Sequence, residues 1–169
     1  MTRAELKDKG IDTTSLTGSS LSWTVYKWIY ENISRDSRIL EVGAGYGTKI
    51  LNTFWEITSI EHDKNFIDIV DDVNYVYCPI KDGWYDIEAF SKGVLKEYKL
   101  VIVDGPVGDN RGNIINHIEL FDPDSNYIVD DIHYKSALKI AECIRDRFHK
   151  QMEIVRDPIY HARSYAILT

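Results

Sequence analysis

Cysteine, proline and clustered positive charge are all scarce in this sequence. Its two cysteines, Cys78 and Cys143, are too few for a disulfide framework and lack zinc-site spacing, so buried thiols in a reducing compartment are expected. The four prolines are scattered rather than gathered into a linker, and no internal repeat or low-complexity tract interrupts the chain. No apolar run approaches the length of a membrane span, and the opening residues MTRAELKDKG lack the apolar stretch of a secretion signal. A cytoplasmic protein with no membrane contact is the expectation. The net charge is −7; residues 134–169 hold seven Lys/Arg against four Asp/Glu, so the rest carries −10. Long nucleic acids are gripped by clustered Lys and Arg, and this chain has no such cluster.

What is present suffices for one core. A chain of 169 residues, 44% hydrophobic and 28% charged, reads as a single domain, with an N-terminal segment and helix over 1–34 and the core over 35–169. In SSLSWTVYKWIYENI, Leu21, Val25, Trp28, Ile29 and Ile33 recur at helical spacing, with Ser19 or Ser20 as candidate N-cap. Five short Ile/Val-rich runs follow, RILEV, EITSI, NYVYC, KLVIVD and NYIVDD, which read as buried parallel strands. Helical periodicity lies between them at about 47–53, 64–71, 86–97 and 111–121, and again at 134–149. MEIV and SYAIL are joined by a loop too short for a parallel crossover, so they should be antiparallel neighbours. The whole predicts an α/β protein with a doubly wound, Rossmann-like, seven-stranded sheet, mostly parallel with an antiparallel C-terminal strand pair.

Ligands of such sheets bind beyond the carboxyl ends of the strands. Those ends carry Glu41 to Thr48, then Glu61 and His62, Cys78, Asp104, and Asp130 with Asp131. Each acid could merely cap a helix and each glycine merely turn the chain, but several in one crevice point to a nucleotide-type pocket. Gly43, Gly45 and Gly47 give G-x-G-x-G, not the dinucleotide pattern G-x-G-x-x-G, because the sixth place is Thr48. Glu41 is expected to repel the pyrophosphate of NAD and to favour a ligand whose non-adenosine arm is positive, as in S-adenosylmethionine. Glu61, eighteen residues after Gly43, suits the ribose hydroxyls of either ligand.

ILEVGAGYGT, ITSIEHD and LVIVDGPVG, in this order and spacing, resemble the motifs of the class I S-adenosylmethionine-dependent methyltransferases over most of the chain. The resemblance implies that Gly43, Ala44, Gly45 and Tyr46, with Gly47 completing the turn, line the methionine and ribose. It also implies that Glu61 holds the ribose, His62 flanks the adenine, the Cys78–Ile80 turn meets the adenine edge, and Asp104 faces the reacting end. Asp104, Asp130 and Asp131 look similar to the magnesium ligands of catechol-type and macrolide-sugar O-methyltransferases. Three carboxylates at adjacent strand ends repel one another unless one is protonated or a hard cation such as Mg²⁺ sits between them; the alternative is that Asp130 or Asp131 caps the next helix. The catechol-type catalytic lysine has no counterpart, since Val107 stands at its place.

Methyl transfer needs a nucleophile held in line and relieved of its proton. Metal bound by the three aspartates could do this; otherwise His133 is a candidate base, set against its more usual role at a surface or cap. Arg111 could pair with an anionic substrate group or only with a surface acid. The acceptor site must come from short parts, TTSLTGSSLSW, DGWYDIEAF, the loop after Asp104 and RDPIYHARS, with Trp23, Trp84, Tyr85 and Tyr160 as stacking candidates. The expected function is therefore O-methylation of a sugar-like or other small-molecule acceptor, with a homo-oligomer among the arrangements that would close the site. The alternatives are an RNA or protein N-methyltransferase, whose Asp/Asn-Pro-Pro motif is replaced here by DGPV, and a non-catalytic adenosine-ligand or NAD-binding protein.

Overall fold

Apolar runs with Ile and Val on both faces form strands only where both faces can be covered, and here they are. A computed structural model describes residues 1–11, 13, 20–95, 97–158 and 162–169. In chain order it contains α1 (Arg3–Asp8), α2 (Trp23–Asn32), β1 (Arg38–Val42), α3 (Thr48–Asn52), β2 (Glu56–Glu61), β3 (Asn74–Tyr77), β4 (Ile80–Lys81), β5 (Trp84–Tyr85), α4 (Ile87–Gly93), β6 (Leu100–Val103), β7 (Asn126–Val129), α5 (Lys135–Phe148), β8 (Met152–Arg156) and β9 (Ser164–Leu168). Seven strands form one sheet in the order β3-β2-β1-β6-β7-β9-β8. The first five run parallel, while β9 pairs antiparallel with both β7 and β8. This is the doubly wound sheet with an antiparallel C-terminal pair that the strand runs predicted. The winding reverses between β1 and β6, and the crevice opens there.

Alternation along each strand divides the core in two. Ile39, Ile57, Leu100, Ile102, Ile128 and Ile167 pack with Leu6 of α1, Val25, Tyr26 and Ile29 of α2, and Ile50 and Leu51 of α3. On the other face Leu40, Val42, Val101, Val103, Tyr127 and Val129 pack with Phe90 of α4, Ile114 and Ile118, and Ala137, Ile140, Ala141 and Ile144 of α5. No helix of the described residues is long and apolar enough to cross a membrane.

Several local features differ from expectation. The helix expected at 64–71 is only a 3₁₀ turn, Lys64–Phe66, followed by positive φ at Asp68 and Asp72. The segment expected as a helix at 111–121 is a longer 3₁₀ stretch, Gly108–Leu120, kinked at His117. Trp84 and Tyr85, expected as loop aromatics near the acceptor, lie in a β4–β5 hairpin and are buried. Its turn is Asp82-Gly83, both with positive φ, as a tight hairpin requires. α2 is capped by Ser22, whose hydroxyl accepts from the Thr24 N–H, and not by Ser20; Ser19 lies outside the described residues, as do residues 14–19 and 159–161, including Tyr160, of two segments expected near the acceptor.

Tyr26 of α2 is fully buried, and its hydroxyl has no hydrogen-bond partner among the described residues. Leaving a buried hydroxyl unpaired is costly, so Tyr26→Phe is expected to raise the unfolding free energy by about 1 kcal/mol in urea titrations. A loss of similar size would show that the hydroxyl has a partner.

Candidate active site

The three glycines after β1 stand in three different surroundings. Gly43 has φ +102°, and a Cβ there would stand 2.6 Å from the backbone nitrogen of Gly105. A Cβ on Gly105 would in turn meet the Cα of Gly43 at 2.6 Å, so the turns after β1 and β6 touch backbone to backbone. A Cβ on Gly47 would collide with the Tyr26 hydroxyl. Gly45 differs: a Cβ there meets nothing within 4 Å, because it points into open space.

That space is a cavity of about 350 Å³, lined by Gly43 to Tyr46, Glu61 to Asp63, Phe66, Asp104 to Val107, Arg111, Asp131 and Arg163. Glu61, at the end of β2, is held by three backbone donors. Its Oε2 accepts from Ala44 at 2.9 Å, and its Oε1 from His62 at 2.6 Å and Asp63 at 2.7 Å. A carboxylate offers about four lone-pair directions, so one on Oε2 is left for a ligand.

Glu41 occupies the α2/α3 side of β1, in phase with Ile39. It is 4% exposed, and its Oε2 accepts from the Thr48 and Ser59 hydroxyls, both at 2.7 Å. Burial pushes its carboxyl up to about 7, with the two hydroxyls opposing the rise. Glu41 thus braces the glycine turn from behind and is not among the cavity walls. The electrostatic preference expected of it falls to the walls themselves, where Glu61, Asp63, Asp104 and Asp131 outnumber Arg111 and Arg163.

At the far end of the cavity, donor atoms of Asp104, Asp130 and Asp131 lie within 4.8 Å of one another. Two guanidinium groups are set among them. Arg111 reaches Asp104 at 3.3 Å and Asp131 at 3.5 Å; Arg163 reaches Asp130 at 2.8 Å and Asp131 at 3.5 Å. Burial first, and then the Asp130 charge, raise the Asp104 carboxyl above the usual carboxylate range, against the pull of Arg111. Burial and the Asp131 charge raise Asp130 likewise. Magnesium demands near-octahedral oxygen at about 2.0–2.1 Å. A dication there would face two guanidinium charges paired with the same three carboxyl groups, so the residues do not fit Mg²⁺ while both arginines hold these places.

No protein-family model matches the sequence, and no curated protein matches it significantly. Solved structures do resemble it. The precorrin 8W decarboxylase of Methanobacterium thermoautotrophicum superposes with a TM-score of 0.61 at 16% identity, over 94% of this chain and 95% of that one. Precorrin-6y C5,15-methyltransferase from Geobacter metallireducens gives 0.60 at 13% identity, over 95% and 93%. The O-methyltransferase TomG from Streptomyces achromogenes, solved with S-adenosylmethionine, gives 0.58 at 14%, over 97% and 85%. The chain has the class I S-adenosylmethionine-dependent methyltransferase fold.

Within that methyltransferase fold, the residues expected at the site divide. Gly43, Ala44, Gly45, Tyr46, Glu61, His62, Asp104 and Asp131 line the cavity, whereas Glu41, Gly47, Cys78, Asp130 and His133 do not. Cys78 is core: its thiol is buried and pushed up to about 12, and its N–H donates to the Glu61 carbonyl at 2.8 Å. The His133 Nδ1 lies 3.9 Å from the Asp131 Oδ1, and its ring packs on Tyr134 with centroids 4.2 Å apart. Asp63 and Phe66 were not anticipated as walls, whereas Pro106 and Arg163 were expected only as members of the loop after Asp104 and of the RDPIYHARS segment. Arg163 could have been found from topology, since β9 runs antiparallel to β7 with Ala166 opposite Val129. The residue just before β9 must then face those just after β7.

Glu41 also gives the fold a pH dependence with a definite sign. Its folded value of about 7 lies above the ordinary 4.5, so the folded state keeps a proton that the unfolded chain loses between those pH values. This contribution is fully present below pH 4.5 and is lost as pH rises through 7. The stability of the wild type minus that of Glu41→Gln should fall by about 3 kcal/mol between pH 4.5 and 8 in urea titrations. A flat difference would contradict the burial of an acid at this position.

Proposed function

We propose that the protein transfers a methyl group from S-adenosylmethionine to a hydroxyl of a small-molecule acceptor. The observation that carries this reading is the polarity of the cavity: Glu61 keeps an acceptor direction at one end, and the wall as a whole carries more carboxylates than guanidinium groups. An adenosine ligand with a positive arm suits that wall. A pyrophosphate would meet the carboxylates of Asp104 and Asp131, which disfavours the NAD-binding alternative.

S-adenosylmethionine, when bound, supplies a methyl group made electrophilic by its sulfonium. Glu61 accepts from a ribose hydroxyl. Gly45, bare of a side chain, lets the ligand lie against the turn. Asp104, whose carboxyl holds a proton more tightly than usual, takes the proton of the acceptor hydroxyl. Tyr46 and Val107, 68% and 69% exposed at the cavity wall, offer apolar surface to the acceptor and are covered when it binds, which removes water from the reacting oxygen.

The reading is tested with S-adenosylhomocysteine and NAD by isothermal titration. S-adenosylhomocysteine is expected to bind and NAD not; binding of NAD alone would overturn the proposal. Gly45→Val should fold as the wild type yet lose binding, because its side chain fills the cavity and meets no protein atom near its Cβ. Glu61→Ala should weaken binding by roughly 10- to 100-fold, as expected for a hydrogen bond to a charged group. Unchanged affinity in Glu61→Ala would remove the ribose assignment.

A further inference from the structure

Carboxylates gathered as closely as Asp104, Asp130 and Asp131 ordinarily need a counter-charge, and a hard divalent cation is one common solution. This chain carries another. Arg111 comes from the 3₁₀ segment after β6 and Arg163 from the residue before β9, so the two guanidinium groups enter the cluster from separate elements. Between them they contact all three acids. We infer that Arg111 and Arg163 take the place of a divalent cation at this cluster, leaving it complete without metal.

Both arginines are held as well as paired. The Arg163 Nη1 donates to the Ser20 carbonyl at 2.9 Å while its Nη2 holds Asp130, so the group is fixed between the N-terminal segment and the end of β7. Arg111 is held more loosely, with its Nε 3.5 Å from the Pro106 carbonyl. Their side chains are only 14% and 13% exposed, so neither is a surface group that drifted toward an acid in passing. Three carboxylates and two guanidinium groups sum to a single negative charge when all are ionised. A dication would leave the cluster positive and would have to share carboxyl groups that arginine already engages.

A consequence for the acceptor rests on the function proposed above. A metal-centred site rewards an acceptor whose neighbouring oxygens chelate the ion, as a vicinal diol does. An arginine-centred site instead favours an oxygen that carries, or is developing, negative charge, and Arg111, on the cavity wall, is placed to meet it.

The test uses Mn²⁺ as the probe, followed by electron paramagnetic resonance on chelator-treated full-length protein. The wild type should leave the free-ion signal essentially undiminished up to millimolar Mn²⁺. Arg111→Met, which removes a guanidinium but keeps an unbranched side chain, should take up one Mn²⁺ at least about tenfold more tightly than the wild type. Asp131→Asn in the Arg111→Met background should abolish that gain, which locates it at the cluster. One-to-one micromolar uptake by the wild type, or no gain in an Arg111→Met protein with a native circular dichroism spectrum, would overturn the inference. Titration of the same samples with S-adenosylhomocysteine keeps the two readings apart: its failure to bind the wild type would sink the methyl-transfer reading and leave the Mn²⁺ result standing.

Discussion

The backbone contact between Gly43 and Gly105 governs the rest of the site. β1 and β6 are neighbours in the sheet, and their carboxyl ends turn away in opposite senses, so the two turns must either separate or touch. They touch, with no room for a Cβ at either glycine. Because of that contact, the Gly43–Tyr46 turn and the Asp104–Val107 turn form one continuous wall. A side chain at either glycine would push them apart and separate the Glu61 end of the cavity from the Asp104–Asp131 end.

Charge is then arranged in two layers around the contact. Behind the turn, Glu41 is enclosed by Thr48 and Ser59 and withdrawn from the cavity; its hydroxyl partners hold the start of α3 against β2. In front, the walls carry Glu61, Asp63, Asp104 and Asp131, partly offset by Arg111 and Arg163. The cavity wall is therefore set by strand-end residues, and the buried acid lies behind it. The arginines have a second effect, since they let three carboxylates share one end of the crevice without an external cation.

Much of the fold was legible because it rests on periodicity. The five Ile/Val runs and the short MEIV–SYAIL connection specify seven strands, and alternating burial leaves few other ways to cover them. Two further features are written in local signals: Thr2 with Glu5 forms the capping box that starts α1, and Asp82-Gly83 forms the turn of the hairpin that carries the buried Trp84 and Tyr85. The helix expected over 64–71 stops after Phe66 because apolar residues at helical spacing say nothing about whether a surface exists to bury them. At the site, Glu61, Gly43 and Gly45 could be placed on the cavity wall from spacing alone, but Gly47 could not. The position of Glu41 depended on which face of β1 it occupies, and Arg163 depended on which strand lies beside β7. Both are facts of the assembled sheet.

A crystal structure with S-adenosylhomocysteine tests the central claim most directly. The account predicts a ribose hydroxyl within hydrogen-bond distance of the Glu61 Oε2, the ligand crossing the open face of Gly45, and its amino-acid arm at the Asp104–Asp131 end of the cavity. Adenosine bound outside this cavity, or a ribose turned away from Glu61 with the amino-acid arm remote from both aspartates, would contradict it.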